Sequence, residues 1–431
     1  MKIALCKTSF AGPVSGADET LVTYAIALHE SGQNVQVVLL YRCPEDDWYY
    51  VRLKNAGVPV AFVVRRSLFF DLLRMTRDLL ASALFIVFLI PRAKDALRRI
   101  WQSLMAFLTW PRYRVCREFL SIARPDVVHV FTPDTGATLM IRAGHDLGIP
   151  VLYHELGNAK HLPMLNGYYQ QLKKVLPLCT EVAALSPRLA DEWAIRFPFL
   201  RAISVVPIIA EQSKAFNLFA RGRGNPRVVF GFAARVEEGK GPLVLLDALT
   251  QVNRQRSLAV VRIAGTGEQL AEVKARARSL ALDGTCEFVG FYSEPLGRGA
   301  FMNSIDVLVL PSFAEGTPNS IVEAMAHGIP IIASAVGGIA DMIGDDAGVL
   351  VPPGDVNALA AAMLRLTLDR EAREQMAKKA KERYRKLFAT DAVLPLLMDT
   401  YARLTANAAA PAFNQNGHHP WAHHSIVKGR K

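Results

Sequence analysis

Two pairs of charged residues set what this chain could do chemically. Glu315 and Glu323 stand eight positions apart in PSFAEGTPNSIVEAMAHGIP (311–330), and Arg235 and Lys240 have four residues between them in FAARVEEGKG (232–241). The run IDVLVLPS reads as a buried strand. Thr317, Asn319 and Ser320 are candidate helix N-caps, and Ile321, Val322, Met325 and Ala326 recur with helical spacing. Glu323 then falls about one turn inside a helix and Glu315 on the loop before it. A helix start offers unpaired backbone N–H groups and positive dipole, so a diphosphate can dock there without a metal. Flanking carboxylates would accept hydrogen bonds from sugar hydroxyls. Two cations on one loop suit a reaction that leaves extra negative charge on a departing diphosphate.

Each feature also has a plainer meaning. A Glu in a first helical turn complements the dipole, a loop Glu is usually solvated, and Glu237 and Glu238 could neutralise a solvated Arg235–Lys240 turn. The context favours chemistry, because Gly316, Pro318, Gly328 and Pro330 punctuate a strand, tight loop, helix and strand with the acids on the ligand side. The whole string resembles the glutamate-x7-glutamate signature of the retaining GT-B glycosyltransferases, family four, including the PS…EG.PNS..EAMA.G.P frame, and Arg235 to Lys240 matches that family's arginine-x4-lysine position.

The resemblance implies a fold of two Rossmann-like doubly wound domains facing across a cleft. It also implies that Arg235 and Lys240 bind the donor diphosphate, Glu323 the ribose and Glu315 the donor sugar, with Gly316, Thr317, Pro318 and Asn319 framing the substrate. The loop TSFAGPVSGADETL (8–21) lacks GxGxxG, but its Gly12 and Gly16 resemble the family's glycine loop facing donor phosphate and acceptor; the plainer reading is a turn glycine with a cap at Asp18 or Thr20. His154, ending PVLYH, occupies the position of a donor-binding histidine and is expected at the cleft edge. His129, inside DVVHVF, is the competitor and reads as packing. Asp134 and Glu155 are further candidates. Nucleotide contacts are expected from AGTGEQL (264–270), where Gly265 and Gly267 would let the ligand approach the backbone, and from the backbone near Phe291, similar to the family's base-binding stretch. No DxD pair stands on a suitable loop, so neither a catalytic metal nor another cofactor is expected.

The 431 residues suffice for two domains of ordinary size, and 51% hydrophobic with 21% charged residues is a globular composition. Strand-like runs alternate with helical patterns, first KIALC, VQVVLL, VPVAFVV, DVVHVF, PVLYH and EVAAL, then RVVFGFAA, AVVRIAG, CEFVGF, IDVLVLP, PIIAS and AGVLVPP. This rhythm predicts tandem α/β domains over 1–208 and 209–390. The resemblance adds a return helix over 391–408 packing on the first domain; 409–431, with its scattered histidines, reads as a disordered tail. Five scattered cysteines without a CxxC pair argue against a disulfide framework or zinc site, and MKIALC reads as a first strand rather than a secretory signal.

Basic charge is concentrated: 14 Lys and Arg against 5 Asp and Glu between Val51 and Val130, where LLASALFIVFLI (79–90) is too short to span a bilayer but suits an interfacial helix. The expectation is a cytoplasmic enzyme, peripherally attached to the anionic inner membrane face through 65–120. It would move a hexose from a UDP- or GDP-sugar to a surface-polysaccharide or lipid-linked acceptor, with no nucleic-acid partner. A nucleotide-sugar 2-epimerase of the same fold and a non-catalytic glycan-assembly partner are the alternatives.

Overall fold

The computed structural model describes residues 1–10, 15–64, 110–131, 135–157, 172–200, 203–210, 227–255, 258–290 and 295–409. All twelve strand-like runs form strands, joined by one short strand with no distinct sequence signal. Those before position 208 make a seven-stranded parallel sheet in the order β3-β2-β1-β4-β5-β6-β7. They are β1 (Lys2–Lys7), β2 (Asn34–Tyr41), β3 (Val60–Val64), β4 (Val127–Phe131), β5 (Val151–Glu155), β6 (Glu181–Ala184) and β7 (Ile203–Val205). The rest make a six-stranded sheet, β10-β9-β8-β11-β12-β13, from β8 (Val228–Ala233), β9 (Ala259–Ala264), β10 (Cys286–Gly290), β11 (Val307–Leu310), β12 (Ile331–Ser334) and β13 (Gly348–Val351). In both, the first strand sits centrally and the order reverses beside it, as doubly wound sheets do.

The helices among the described residues include α1 (Gly16–Glu30), α2 (Trp48–Asn55), α3 (Thr135–Asp146), α4 (Pro187–Arg196), α5 (Pro242–Gln255), α6 (Leu270–Ser279), α7 (Pro295–Asn303), α8 (Asn319–Ala326), α9 (Ile339–Ile343), α10 (Val356–Leu368), α11 (Arg370–Leu387) and α12 (Thr390–Ala409). They cover both faces of the second sheet, which explains why its strands read as continuous apolar runs rather than alternating ones. Along β11, Val307 and Val309 join the core with Leu245, Leu249 and Met363 of α5 and α10. Leu308 and Leu310 join the opposite core with Ile321 and Met325 of α8 and Tyr384 of α11.

Two compact units emerge, one from the described residues of Met1–His154, Met164–Val182 and Tyr401–Pro411, the other from those of Glu155–Pro163 and Ala183–Thr400. The sheets change over between β7 and β8, and the compact units divide differently from 1–208 and 209–390. Ala184, Leu185, Leu189 and Ile208 are buried in the core of the second unit, against the α8–α9–α11 layer. Within the first unit, Tyr401 of α12 is fully buried and bonds His129. No helix among the described residues is long and apolar enough to cross a membrane. The expected interfacial run 79–90 and the tail from 410 lie outside the described residues.

Candidate active site

The loops that follow β8, β9, β11 and β12 all leave the carboxyl end of one parallel sheet, the end at which open α/β sheets receive ligands. They are stitched together by backbone. Val236 N–H donates to Thr266 O at 2.9 Å, Gln269 N–H to Val236 O at 3.0 Å, Phe313 N–H to Gly239 O at 2.9 Å and Gly338 N–H to Gly316 O at 2.9 Å. A Cβ at Gly265 would strike the Ala234 carbonyl and one at Gly267 the Val236 carbonyl. These two glycines, expected to admit a nucleotide, therefore admit the neighbouring protein loop. Gly316 does the same for Leu156, whose carbonyl oxygen lies 2.6 Å from where its Cβ would be.

Those contacts carry the signature residues together. Glu238–Lys240 forms a single 3-10 turn ended by Gly241, whose φ of 67° belongs to the left-handed region and whose missing Cβ makes room for the Pro311 carbonyl. Lys240 Nζ thereby reaches Glu315 Oε1 at 2.8 Å, with side chains 19% and 6% exposed. Ser312 Oγ donates to that same oxygen at 2.7 Å. Arg235 does not join them. Its guanidinium pairs with Glu237 at 2.9 Å and is 57% exposed, so the neutralised turn that the sequence allowed is realised for Arg235 and not for Lys240.

Helix α8 begins as expected, but its cap differs. Pro318 occupies the N-cap and no side chain caps the helix start; Thr317 Oγ1 is buried without a hydrogen-bond partner, and Asn319 and Ser320 lie inside the helix. Proline supplies the extended backbone of a cap but no side-chain acceptor, and the first turn holds no acidic residue. The positive end of α8 is thus left uncompensated by its own side chains, which suits an incoming anion. Glu323, one turn in, pairs with Arg298 of α7 at 3.2 Å. Ser312 and Arg298 were not singled out from sequence. Ser312 had an available signal, a hydroxyl three residues before Glu315, whereas Arg298 is 25 positions from its partner.

In the first unit the candidates fare differently. Gly16 opens α1, whose cap is Ser15 accepting from Asp18 N–H at 3.2 Å, not Asp18 or Thr20. Asp18 and Glu19 occupy the first turn and are themselves paired, Asp18 with buried Lys7 and Glu19 with Arg52 at 2.8 Å. Gly12, Asp134 and Phe291 lie outside the described residues. His154 is not at an open edge: it is fully buried, its Nδ1 3.2 Å from His129 Nε2, while His129 Nδ1 lies 2.7 Å from the Tyr401 hydroxyl. Burial first, and His154 second, hold His129 well below the ordinary imidazole range. Glu155 Oε1 accepts from Gly157 N–H at 2.8 Å and so holds its own turn. All five cysteines are free; burial pushes Cys116 up to about 12 and Cys43 to about 11, which leaves them as thiols at neutral pH.

Residues 213–383 match the family model of glycosyl transferases group 1. The chain is similar to the amylovoran biosynthesis glycosyltransferase AmsK of Erwinia amylovora, 32% identical over 36% of this chain and 40% of that protein. It is 25% identical to the putative colanic acid biosynthesis glycosyltransferase WcaL of Salmonella typhimurium, over 63% of this chain and 70% of that one. The match therefore spans less than half of the first relative's length and about two thirds of the second's. Among solved structures, Anabaena HepE in complex with UDP superposes with a TM-score of 0.68 over 94% of this chain and 100% of that one at 19% identity, which speaks to fold. With the two doubly wound sheets, these matches give the chain a GT-B fold whose segment 213–383, which carries the Lys240–Glu315 pair, is similar to the glycosyl transferases group 1.

Proposed function

We propose that the protein is a retaining hexosyltransferase that takes a UDP- or GDP-sugar as donor and a surface-polysaccharide or lipid-linked saccharide as acceptor. The observation that carries this reading is the Lys240–Glu315 pair held beside the uncapped start of α8. A nucleoside diphosphate at that helix start has backbone N–H groups and a lysine for its charge, and a buried carboxylate for the hydroxyls of its sugar. UDP is the favoured nucleotide because HepE of similar fold was solved with it, and the amylovoran and colanic acid relatives favour a polysaccharide product.

In the reaction proposed, the acceptor oxygen bonds to the anomeric carbon on the face from which the diphosphate departs. The leaving phosphate oxygen takes the acceptor proton, and the anomeric configuration is kept. Lys240, and Arg235 once it turns from Glu237, stabilise the charge that develops on the diphosphate. No metal is required in this scheme, and the site lies on the cytoplasmic side with the basic segment 65–120 on the membrane.

The test is a melting-temperature screen with UDP, GDP, UDP-glucose, UDP-galactose, UDP-N-acetylglucosamine and GDP-mannose, with and without EDTA. At least one nucleotide sugar should raise the melting temperature and be turned over in EDTA. Loss of turnover on chelation, restored by magnesium, would overturn the metal-free scheme, and a free 2-epimer as the product would favour an epimerase.

A further inference from the structure

Both protein donors to the Glu315 carboxylate, among the described residues, land on one oxygen. Lys240 Nζ reaches Oε1 at 2.8 Å and Ser312 Oγ reaches it at 2.7 Å. A carboxylate oxygen has two good acceptor directions, so Oε1 is filled and Oε2 is left for a ligand. The two donors differ in kind. Lys240 is a flexible cation on the loop after β8, partly open to solvent, and a diphosphate at the start of α8 competes for it directly. Ser312 is a neutral donor with no exposed surface, fixed at the end of β11 where Phe313 N–H is tied to Gly239 O.

We propose that Ser312 is the positioning residue of the site: it holds Glu315 in its reactive rotamer while Lys240 exchanges its partner, from Glu315 in the unliganded protein to the diphosphate of the bound donor. Without Ser312, the approach of a donor removes the second of the two side-chain donors that hold Glu315 among the described residues, at the moment the carboxylate must face the sugar. With it, Oε1 keeps a donor throughout and Oε2 stays aimed. The exchange also separates two roles. Lys240 responds to the diphosphate, so its loss is felt in nucleotide binding and turnover alike. Ser312 responds to nothing on the ligand, so its loss is felt only where Glu315 acts.

This inference rests on the nucleotide-sugar reading above, and its test keeps the two apart. Wild type, Ser312→Ala, Ser312→Thr, Glu315→Ala and the Ser312→Ala/Glu315→Ala double variant are compared. The readouts are melting temperature, UDP affinity by calorimetry, and release of UDP or GDP from the sugars named above with water as acceptor. Ser312→Ala is expected to keep the wild-type melting temperature within a few degrees and UDP affinity within about twofold, and to lose about tenfold in kcat with little change in KM, the scale of one hydrogen bond to a charged group. Ser312→Thr, which retains the hydroxyl, should recover part of that loss, and Ser312→Ala should cost nothing further once Glu315 is gone. Wild-type kcat in Ser312→Ala would overturn the inference. So would a parallel loss of UDP affinity and melting temperature, or a full further loss in the double variant. Failure of the wild type to bind or turn over any of these nucleotides would instead sink the functional reading, and Ser312's role with it.

Discussion

The two signature glutamates are held by different cations, Glu315 by Lys240 and Glu323 by Arg298, and this division predicts separable phenotypes. If Glu323 accepts from the ribose hydroxyls, as the resemblance implies, Glu323→Ala should weaken UDP binding. Glu315→Ala should lower kcat more than affinity if, as proposed, its carboxylate serves the reacting sugar. Calorimetry with UDP and steady-state kinetics with a nucleotide sugar measure both. Lys240→Ala should lower turnover on the order of 10² or more, since it removes a preorganised cation and leaves Glu315 with one donor. The spacing of Glu315, Glu323, Arg235 and Lys240 was legible because each pair falls on the segment that follows one apolar strand, Arg235 and Lys240 after β8 and Glu315 and Glu323 after β11. Which acid meets which cation was not. Arg235 and Lys240 look equivalent on the chain, and only the packing of the 311–313 loop on 239–241 gives Lys240 to Glu315 and leaves Arg235 to Glu237.

At the level of elements, the turn that delivers Lys240 depends on Gly241, whose backbone is left-handed and whose α-carbon abuts the Pro311 carbonyl. Gly241→Ala should lower unfolding free energy by about 1–3 kcal/mol and reduce turnover as Lys240 moves. Gly239→Ala, whose Cβ would meet nothing within 4 Å, should leave stability near wild type. Denaturant melts of the two variants make the comparison. The strands were legible because two covered faces demand long apolar runs. The cap of α8 was not, since Thr317, Asn319 and Ser320 all fit the statistics of caps while proline took the position. The strand-internal His129 illustrates a second limit: its partners Tyr401 and His154 lie 272 and 25 residues away. That cluster, with the Tyr24 ring tilted beside it, carries a pH signature. His129 stays neutral in the folded chain while an unfolded imidazole takes a proton below about 6.5, so the unfolded state binds more protons there and stability falls as pH drops below that value. Melting temperature between pH 7 and pH 5 should therefore fall less steeply in His129→Gln than in wild type.

Across the whole molecule, the sequence signal is uneven. The family match is confined to 213–383, in the unit carrying α8, while the basic segment 65–120 lies outside it. Each basic residue near an anionic surface contributes about 1 kcal/mol, so wild-type protein should co-sediment with anionic liposomes at low salt, and Phe85→Glu with Phe88→Glu should abolish this. Absence of wild-type binding would remove the membrane from the account, and unfolding of the double variant would assign 79–90 to a core. The central claim, a nucleotide-sugar site built on Lys240, Glu315 and the open start of α8, is tested most directly by calorimetric titration of UDP and UDP-glucose into wild type, Lys240→Ala and Glu315→Ala. Wild type should bind both, Lys240→Ala should weaken both, and Glu315→Ala should weaken UDP-glucose while sparing UDP. Equal binding of both ligands by all three proteins would contradict it.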